Sequence, residues 1–261
     1  MKIIVCIKQV PETQEIRLDP ITHTLQREGV KSIINPFDLY ALEEGLRVRE
    51  RQGGSVTVLS MGPPQAVETL REALTYGADG AVLLSDRAFA GADTWATAYT
   101  LARGISKLGG ADLILCGKQA IDGDTAQVGP ELAAFLELPY VAWARKLTFV
   151  ESEVLQMERL LDHGYDGIEV RLPALITVVK EINEPRVPSF KAKLRAKSQK
   201  IPVLGLQDLE LDQNQVGLPG SFTQVVKVFP PPARGERELW EGAPNELAQR
   251  LWTRLQKLKI G

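Results

Sequence analysis

A chain of 261 residues suits one large domain, or a domain with an appendage. With 44% hydrophobic and 25% charged residues it can bury an ordinary globular core. Its formal net charge of -2 excludes a general nucleic-acid binder, whose phosphate contacts need a clear basic excess. The apolar part of KIIVCIK (2–8) is too short for a signal-peptide core, and no later stretch reaches about 18 apolar residues, so the chain is expected to be soluble and cytoplasmic.

The first half alternates β-branched runs with amphipathic stretches, the pattern of βα units feeding a parallel sheet. IIVCI (3–7), SVTVLS (55–60), AVLLS (81–85) and DLILC (112–116) are the expected strands. Such near-continuous apolar runs suit strands covered by helices on both faces. Residues 16–28 read as a β-hairpin after the first strand, with Asp19-Pro20 helping its turn. Asn35-Pro36 supplies an N-cap and a proline at the first helical position, after which Leu39, Leu42 and Leu46 repeat at helical spacing. Pro63-Pro64 opens a second helix, with Val67, Leu70 and Leu74 inward and Gly77 as its stop. Leu101, Ile105 and Leu108 mark a third, capped by Asp93 or Thr94, and 126–136 reads as a fourth.

Beyond residue 140 the pattern changes. YVAWARKLTFV (140–150) is a long strand, and EVLQMERLL (153–161) and GIEVRLPALITVV (167–179) flank a turn-rich DHGYDG (162–167), which predicts antiparallel pairing. Six Lys or Arg and no acid lie between Arg186 and Lys200. Such a run is either a solvated helix or loop, or a docking surface for an acidic partner. The prolines at 230–232 interrupt the chain, and 245–258 forms a terminal amphipathic helix with Leu247, Leu251, Leu255 and Leu258 on one face. The division expected is a nucleotide-binding α/β domain over 1–229 and a C-terminal arm over 230–261 that docks on another chain.

The stretch GKQAIDGDTAQVGPELA (117–133) follows an apolar strand and precedes a helix. A strand ending in glycine before a helix start presents backbone N–H groups and the positive helix dipole at the carboxyl edge of the sheet, where open α/β sheets bind ligands. Gly117 and Gly123 permit close backbone approach, Thr125 offers a hydroxyl, and Asp122 or Asp124 can cap the helix. With two histidines, His23 and His163, and no Cys or His pair at ligand spacing, a transition-metal site has little to be built from; phosphate is the better ligand. An Asp-Gly turn with a helix cap and no ligand accounts for the same residues. Neither G-x-G-x-x-G nor G-x-x-x-x-G-K-[ST] is present. Asn35, SMGPP (60–64) and the loop 85–100, with Arg87 as an anion partner, fall on the same side, and their convergence points to one nucleotide cleft. Cys6 and Cys116 lie in apolar runs where thiols behave as small hydrophobes, so no disulfide is expected. His163 has no nearby serine or cysteine partner, which argues against a hydrolase.

Along nearly its whole length the sequence resembles the β subunits of electron transfer flavoproteins. The resemblance is carried by VCIKQVP (5–11), NPFDLYALEEGLR (35–47), GPPQA (62–66), GKQAIDGDTAQVGP (117–130), ERLLDHGYDGIEVRLPALITV (158–178) and NEPR (183–186). His163 departs mildly from the family signature. The resemblance implies a doubly wound, Rossmann-like parallel sheet of the adenine-nucleotide alpha-hydrolase-like kind, with a small antiparallel addition and a C-terminal arm. It also implies an adenine nucleotide in this subunit and a partner α subunit carrying FAD. Carried over, the nucleotide positions are Cys6, Asn35, Pro36, Phe37, Asp38, Met61, Gly117, Lys118, Gln119, Ala120, Asp122, Gly123, Asp124, Thr125, Ala126, Gln127 and Val128.

Within the family, DGDTAQVGP (122–130), the loop 86–102 and INPFDLYALEEGLR (34–47) are similar to the electron-bifurcating type, which holds a second FAD where housekeeping members hold structural AMP. That implies hydride transfer from NADH, with one electron passing to ferredoxin or flavodoxin. The other passes through the α-subunit FAD to a dehydrogenase or quinone oxidoreductase. Arg87, Phe89, Gly91, Asp93 and Thr94 become candidates for the flavin and NADH pocket, and Trp95 stands where smaller aliphatic residues are usual. The segment 184–200 resembles a partner-recognition loop, with Arg186, Lys191, Lys193, Leu194 and Arg195 as docking residues; any membrane contact is expected only through a partner. Two alternatives are a non-bifurcating subunit with structural AMP, shuttling electrons to the quinone pool, and a stress-type nucleotide-binding domain that carries no electrons.

Overall fold

A computed structural model of the chain describes residues 1–12, 17–18, 25–26, 31–226 and 238–258. The chain divides into two units, Met1–Val226 and Lys227–Gly261. In chain order the larger unit runs β1 (Lys2–Cys6), β2 (Gln9–Pro11), β3 (Arg17–Leu18), β4 (Leu25–Gln26), β5 (Ser32–Ile34), α1 (Pro36–Gln52), β6 (Ser55–Met61), α2 (Ala66–Tyr76), β7 (Gly80–Leu84), α3 (Thr94–Lys107), β8 (Leu113–Gly117), α4 (Val128–Phe135), β9 (Tyr140–Glu151), β10 (Val154–Leu161), β11 (Gly164–Arg171), β12 (Ala174–Val178), α5 (Phe190–Ser198) and β13 (Val203–Leu204). The smaller unit contains α6 (Pro244–Lys257).

Nine strands form one sheet in the order β11-β10-β9-β12-β8-β1-β6-β7-β13. From β9 to β13 every neighbouring pair is parallel, whereas β9-β10 and β10-β11 are antiparallel. This is the doubly wound sheet with an antiparallel addition. Side chains alternate between its two faces, as the period of 2 requires. Ile3, Val5, Leu113 and Leu115 face a core layer shared with α1, α2 and Ala196 of α5. Ile4, Cys6, Ile114 and Cys116 face the layer made by α3 and α4. Strands buried on both sides explain why their sequences read as continuous apolar runs.

Strand order sets the site. From β1 the chain steps outward to β6 and β7, then returns to place β8 on the other side of β1. The helix after β1 packs on one face and the helix after β8 on the other. A crevice opens where that reversal occurs, outside the carboxyl ends of β1 and β8. Cys6 and Cys116, the last buried residues of these strands, are register partners there, and both thiols are free.

Several boundaries differ from the sequence expectation, each for a local reason. Helix α2 begins at Ala66; the prolines before it form a turn in which Ala66 N–H donates to Pro63 O at 2.8 Å. Helix α4 begins at Val128 because Ala126 has φ of 55°, a left-handed conformation that a right-handed helix cannot include. Only Asp162 and His163 separate β10 from β11, so the expected hinge 162–167 is a two-residue hairpin with the strand resuming at Gly164. Strands β3 and β4 pair antiparallel, while the Asp19-Pro20 turn lies outside the described residues, as does PPPARGER (230–237). In α6 no residue is buried within its own unit, and Leu251, Trp252 and Leu258 are exposed. Among the described residues no helix is long and apolar enough to cross a membrane.

Candidate functional site

At the crevice lies a cleft of about 790 Å³, within the usual range of ligand pockets. Its floor is Cys6, Ile7 and Cys116; one wall is Lys118–Ala120 and Gly123–Gly129, the other Gly91–Trp95 and Thr97; Phe222–Val225 run along the rim. Among the expected site residues, Cys6, Asn35, Asp38, Met61, Gly91, Asp93, Thr94, Lys118, Gln119, Ala120, Gly123, Asp124, Thr125, Ala126, Gln127 and Val128 line it.

Pro36, Phe37, Gly117 and Asp122 stand behind the lining and shape it. Gly117 passes so close to α1 that a Cβ there would sit 2.4 Å from Asp38 Oδ1 and 2.6 Å from the Phe37 carbonyl carbon. Only glycine permits that approach. Asp122 pairs with Lys8 Nζ at 2.7 and 2.9 Å, and Asp124 accepts from Gln119 Nε2. Neither carboxylate caps α4, which has no side-chain cap. Arg87 is exposed and outside the lining. Phe89 is buried in the core layer of α3 and α4, carried there by a short turn that Asp86 caps at Ala88 N–H.

Asn35 precedes α1 but makes no helix cap. Its Nδ2 donates to Gln119 O at 2.9 Å and its Oδ1 accepts from Ile121 N–H at 3.2 Å. A fully buried amide thus holds the 117–128 loop, satisfying both of its own polar atoms. Asp38, in the first turn of α1, joins the two strand ends: Oδ2 accepts from Lys8 N–H at 2.7 Å and Oδ1 from Gly117 N–H at 3.2 Å. Burial dominates these hydrogen bonds and pushes its carboxyl up to about 7. The Cys116 thiol is pushed up by its hydrogen bond with Cys6 and by burial, so it stays a thiol.

The loop then takes an unusual path. Asp124 and Ala126 have φ of 54° and 55°, followed by Gln127 in the right-handed region and the N-terminus of α4. Backbone of alternating hand beside a helix start is the pattern from which anion-binding nests are built. With the side chains of Asp122 and Asp124 already paired, the backbone N–H groups and the exposed Thr125 are what the loop offers to a ligand.

Sequence reasoning missed the rim. Asp93 caps α3 through Ala96 N–H at 3.0 Å, as expected of it, but its other oxygen accepts from Thr223 N–H at 2.9 Å and Thr223 Oγ1 at 3.1 Å. Burial raises its carboxyl, yet these hydrogen bonds outweigh it and hold Asp93 below the usual range. Asp93 N–H also donates to Ser221 Oγ at 2.8 Å. Behind it, Gly217 has φ of 56° and a Cβ there would lie 2.0 Å from Ala88 O, which seats this returning segment on the loop after β7. Trp95 packs edge-on against Phe135 and Phe222. Lys8, Thr97, Glu131 and 222–225 were not among the expected site residues; the tertiary fold brings them to the cleft.

The basic segment is anchored at Arg186 and Arg195 and exposed between them. Arg186 donates to Glu43 Oε2 at 2.8 Å and to Glu50 Oε1 at 2.5 Å, and Arg47 donates to Glu43 Oε1 at 2.7 Å. Burial raises Glu43, but the hydrogen bonds from Arg186 and Arg47 outweigh it and hold it below the usual carboxylate range. Arg195 donates to Ala78 O. Lys191, Lys193 and Leu194 are exposed.

Residues 22–209 match the electron transfer flavoprotein domain. The chain is 53% identical, over 100% of both chains, to an electron transfer flavoprotein subunit beta of Thermoanaerobacterium thermosaccharolyticum. It is 48% identical, again over 100% of both, to the caffeyl-CoA reductase-Etf complex subunit CarD of Acetobacterium woodii. It is 50% identical to protein FixA of Bradyrhizobium diazoefficiens, over 95% of this chain and 88% of the other.

Proposed function

The chain belongs to the electron transfer flavoprotein family, on the side of its β subunits, and we propose that its cleft holds FAD in an electron-bifurcating complex with an α subunit. The observation that carries this reading is the reach of the cleft beyond the phosphate loop: it continues to Gly91–Trp95, Glu131 and 222–225, more wall than a mononucleotide needs. The residues suit the group. The Asp124 N–H is spent on Ala120 O, so the backbone N–H groups of 125–128 and the Thr125 hydroxyl would take the phosphates, with Gly117 letting α1 close behind them. Lys118, stacked over Trp143 at 4.6 Å, places a cation on the same wall.

When bound, FAD supplies the capacity to take a hydride from NADH and release the electrons singly. The chain's own work is to orient and shield. Asn35 and Asp38 fix the loop and the strand ends, Asp93 holds the rim segment down, and the buried thiols give the floor an apolar character. One electron would leave toward ferredoxin or flavodoxin, the other through the α-subunit FAD toward a dehydrogenase or quinone oxidoreductase. The arm 230–261 would engage the α subunit, the segment 184–200 would meet an acidic electron-transfer partner, and the complex would work in the cytoplasm.

The test is the FAD content of the heterodimer coexpressed with its cognate α subunit, with an assay of nucleotide released on denaturation. Two FAD and no AMP are expected. One FAD plus AMP would give this chain the scaffold role of a non-bifurcating subunit, and a chain that purifies alone and colourless with ATP would remove electron transfer altogether.

A further inference from the structure

Where the cleft is walled by Gly91–Trp95 and the rim, several polar side chains are already engaged within the chain. Asp93 caps α3 and holds Thr223, and Thr94 Oγ1 donates to Glu131 Oε1 at 3.1 Å. What this end still presents is aromatic surface. Trp95 lines the cleft while 42% exposed, and Phe222 beside it is 80% exposed. Single exposed apolar residues are ordinary on a protein surface, but two large rings in contact on the wall of a cleft call for something to cover them.

The indole is held in place before any ligand arrives. Its centroid lies 4.6 Å from that of Phe135 and 5.4 Å from that of Phe222, both edge-on. Tyr99, one turn further along α3, packs against Phe135 at 5.5 Å and donates its hydroxyl to Gln215 Oε1 at 2.6 Å. Residues of α3, α4 and the returning segment thus brace one ring, and a side chain already ordered loses little freedom when a ligand packs on it. The charges nearby restrict what that ligand presents. Asp93 and Glu131 put two carboxylates at this end, while Lys8 is turned to Asp122 and Lys118 to Trp143. A phosphate is disfavoured here. An uncharged planar ring fits, because it gains apolar burial and dispersion against the indole without demanding hydrogen bonds. Nucleotides and flavins carry such a ring on the same molecule as the phosphates that the backbone of 125–128 suits.

We propose that Trp95, backed by Phe135 and Phe222, is the ring-binding surface of the cleft, a ligand-binding residue that packs against the planar heterocycle, adenine or isoalloxazine, of the bound cofactor. The inference rests on the reading of the cleft as a nucleotide or flavin site. It gives the cleft two chemically distinct parts, backbone N–H groups for phosphates and an aromatic wall for a ring.

The test measures FAD and AMP dissociation constants for the second site of the purified heterodimer, freed of its nucleotide, in wild type, Trp95→Leu and Trp95→Phe. Thermal unfolding of the nucleotide-free complexes is followed beside it. Packing of a heterocycle on an aromatic side chain predicts affinity lowered roughly 10-fold in Trp95→Leu and restored to within a few-fold by Trp95→Phe, which keeps a ring. Loss for FAD alone assigns the isoalloxazine to Trp95; loss for FAD and AMP together assigns the adenine they share. Equal losses in the Leu and Phe variants, or losses that only track a lowered unfolding temperature, would show that Trp95 supports the fold and overturn the proposal. Unchanged affinities with a weakened hold on the α subunit would make Trp95 an interface residue and overturn it too. A wild-type second site that takes AMP but no FAD would overturn the bifurcating reading and leave this inference to the AMP measurements, and a site that takes neither would overturn both.

Discussion

The loop 117–128 and the segment 186–200 both look, in sequence, like polar stretches waiting for a partner, yet they are built in opposite ways. In the loop the charged side chains turn to one another and to the fold: Asp122 to Lys8, Asp124 to Gln119. What remains for the ligand is backbone, held by Asn35 and Asp38 in a buried setting where each polar atom is matched. In the basic segment Arg186 is sunk against Glu43 and Glu50 and Arg195 reaches Ala78 O, while Lys191, Lys193 and Lys197 are displayed on the outer side of α5. Low dielectric magnifies the hydrogen bonds of the buried Asn35 and Asp38 beneath the loop, whereas water and salt mute the exposed Lys8–Asp122 pair and the charges of the second region. A charged residue therefore says little about its role until its depth is known.

That contrast has measurable limits. The largest effect is expected at Asp38. Its folded-state carboxyl is raised to about 7, above the unfolded value, so between about pH 4 and 7 the folded state holds the extra proton and stability falls as pH rises. Asp38→Asn should abolish that slope, recovering at most about 4 kcal/mol at pH 7.5 in chemical unfolding of the heterodimer. An unchanged slope would mean that the buried carboxyl does not govern it. Next comes Arg186→Met, which leaves the buried Glu43 with Arg47 as its one charged partner, beside the backbone N–H of residue 186. Because Arg186 is itself about a third exposed, a loss of about 2 kcal/mol is expected, well below that of a fully buried pair. Hydrogen exchange of 186–200 should rise with it; if it does not, the segment is held by other contacts. The smallest effect belongs to Lys191 and Lys193. Replacing both with Ala should change stability by less than about 0.5 kcal/mol, while slowing association with an acidic partner at low salt and not at high salt. A salt-independent defect would show that these lysines do more than steer.

The sequence was most informative where physics is local. Val58, Leu59 and their neighbours announce a buried strand because both faces are covered. Gly77 ends α2 in a left-handed conformation, and Asp93 caps α3, because turn and cap chemistry is settled within a few residues. It misled where a local role competed with a distant one. Asn35 has the type and place of an N-cap, yet its amide is better used across 84 positions of chain on Gln119. Asp122 looked like a cap and became the partner of Lys8, 114 positions away. Phe89 sits in a polar loop but has a large apolar ring, and the core took it.

The sequence alone therefore determined the βα order, the family and the loop that walls the cleft, since periodicity, glycine placement and motif are properties of neighbouring residues. Only the tertiary structure decided which polar groups remain unsatisfied. Hydrogen-bond and charge pairing is made between segments far apart in the chain, and the reversal of strand order beside β1 is what brings Asp93, Glu131 and 222–225 to one cleft.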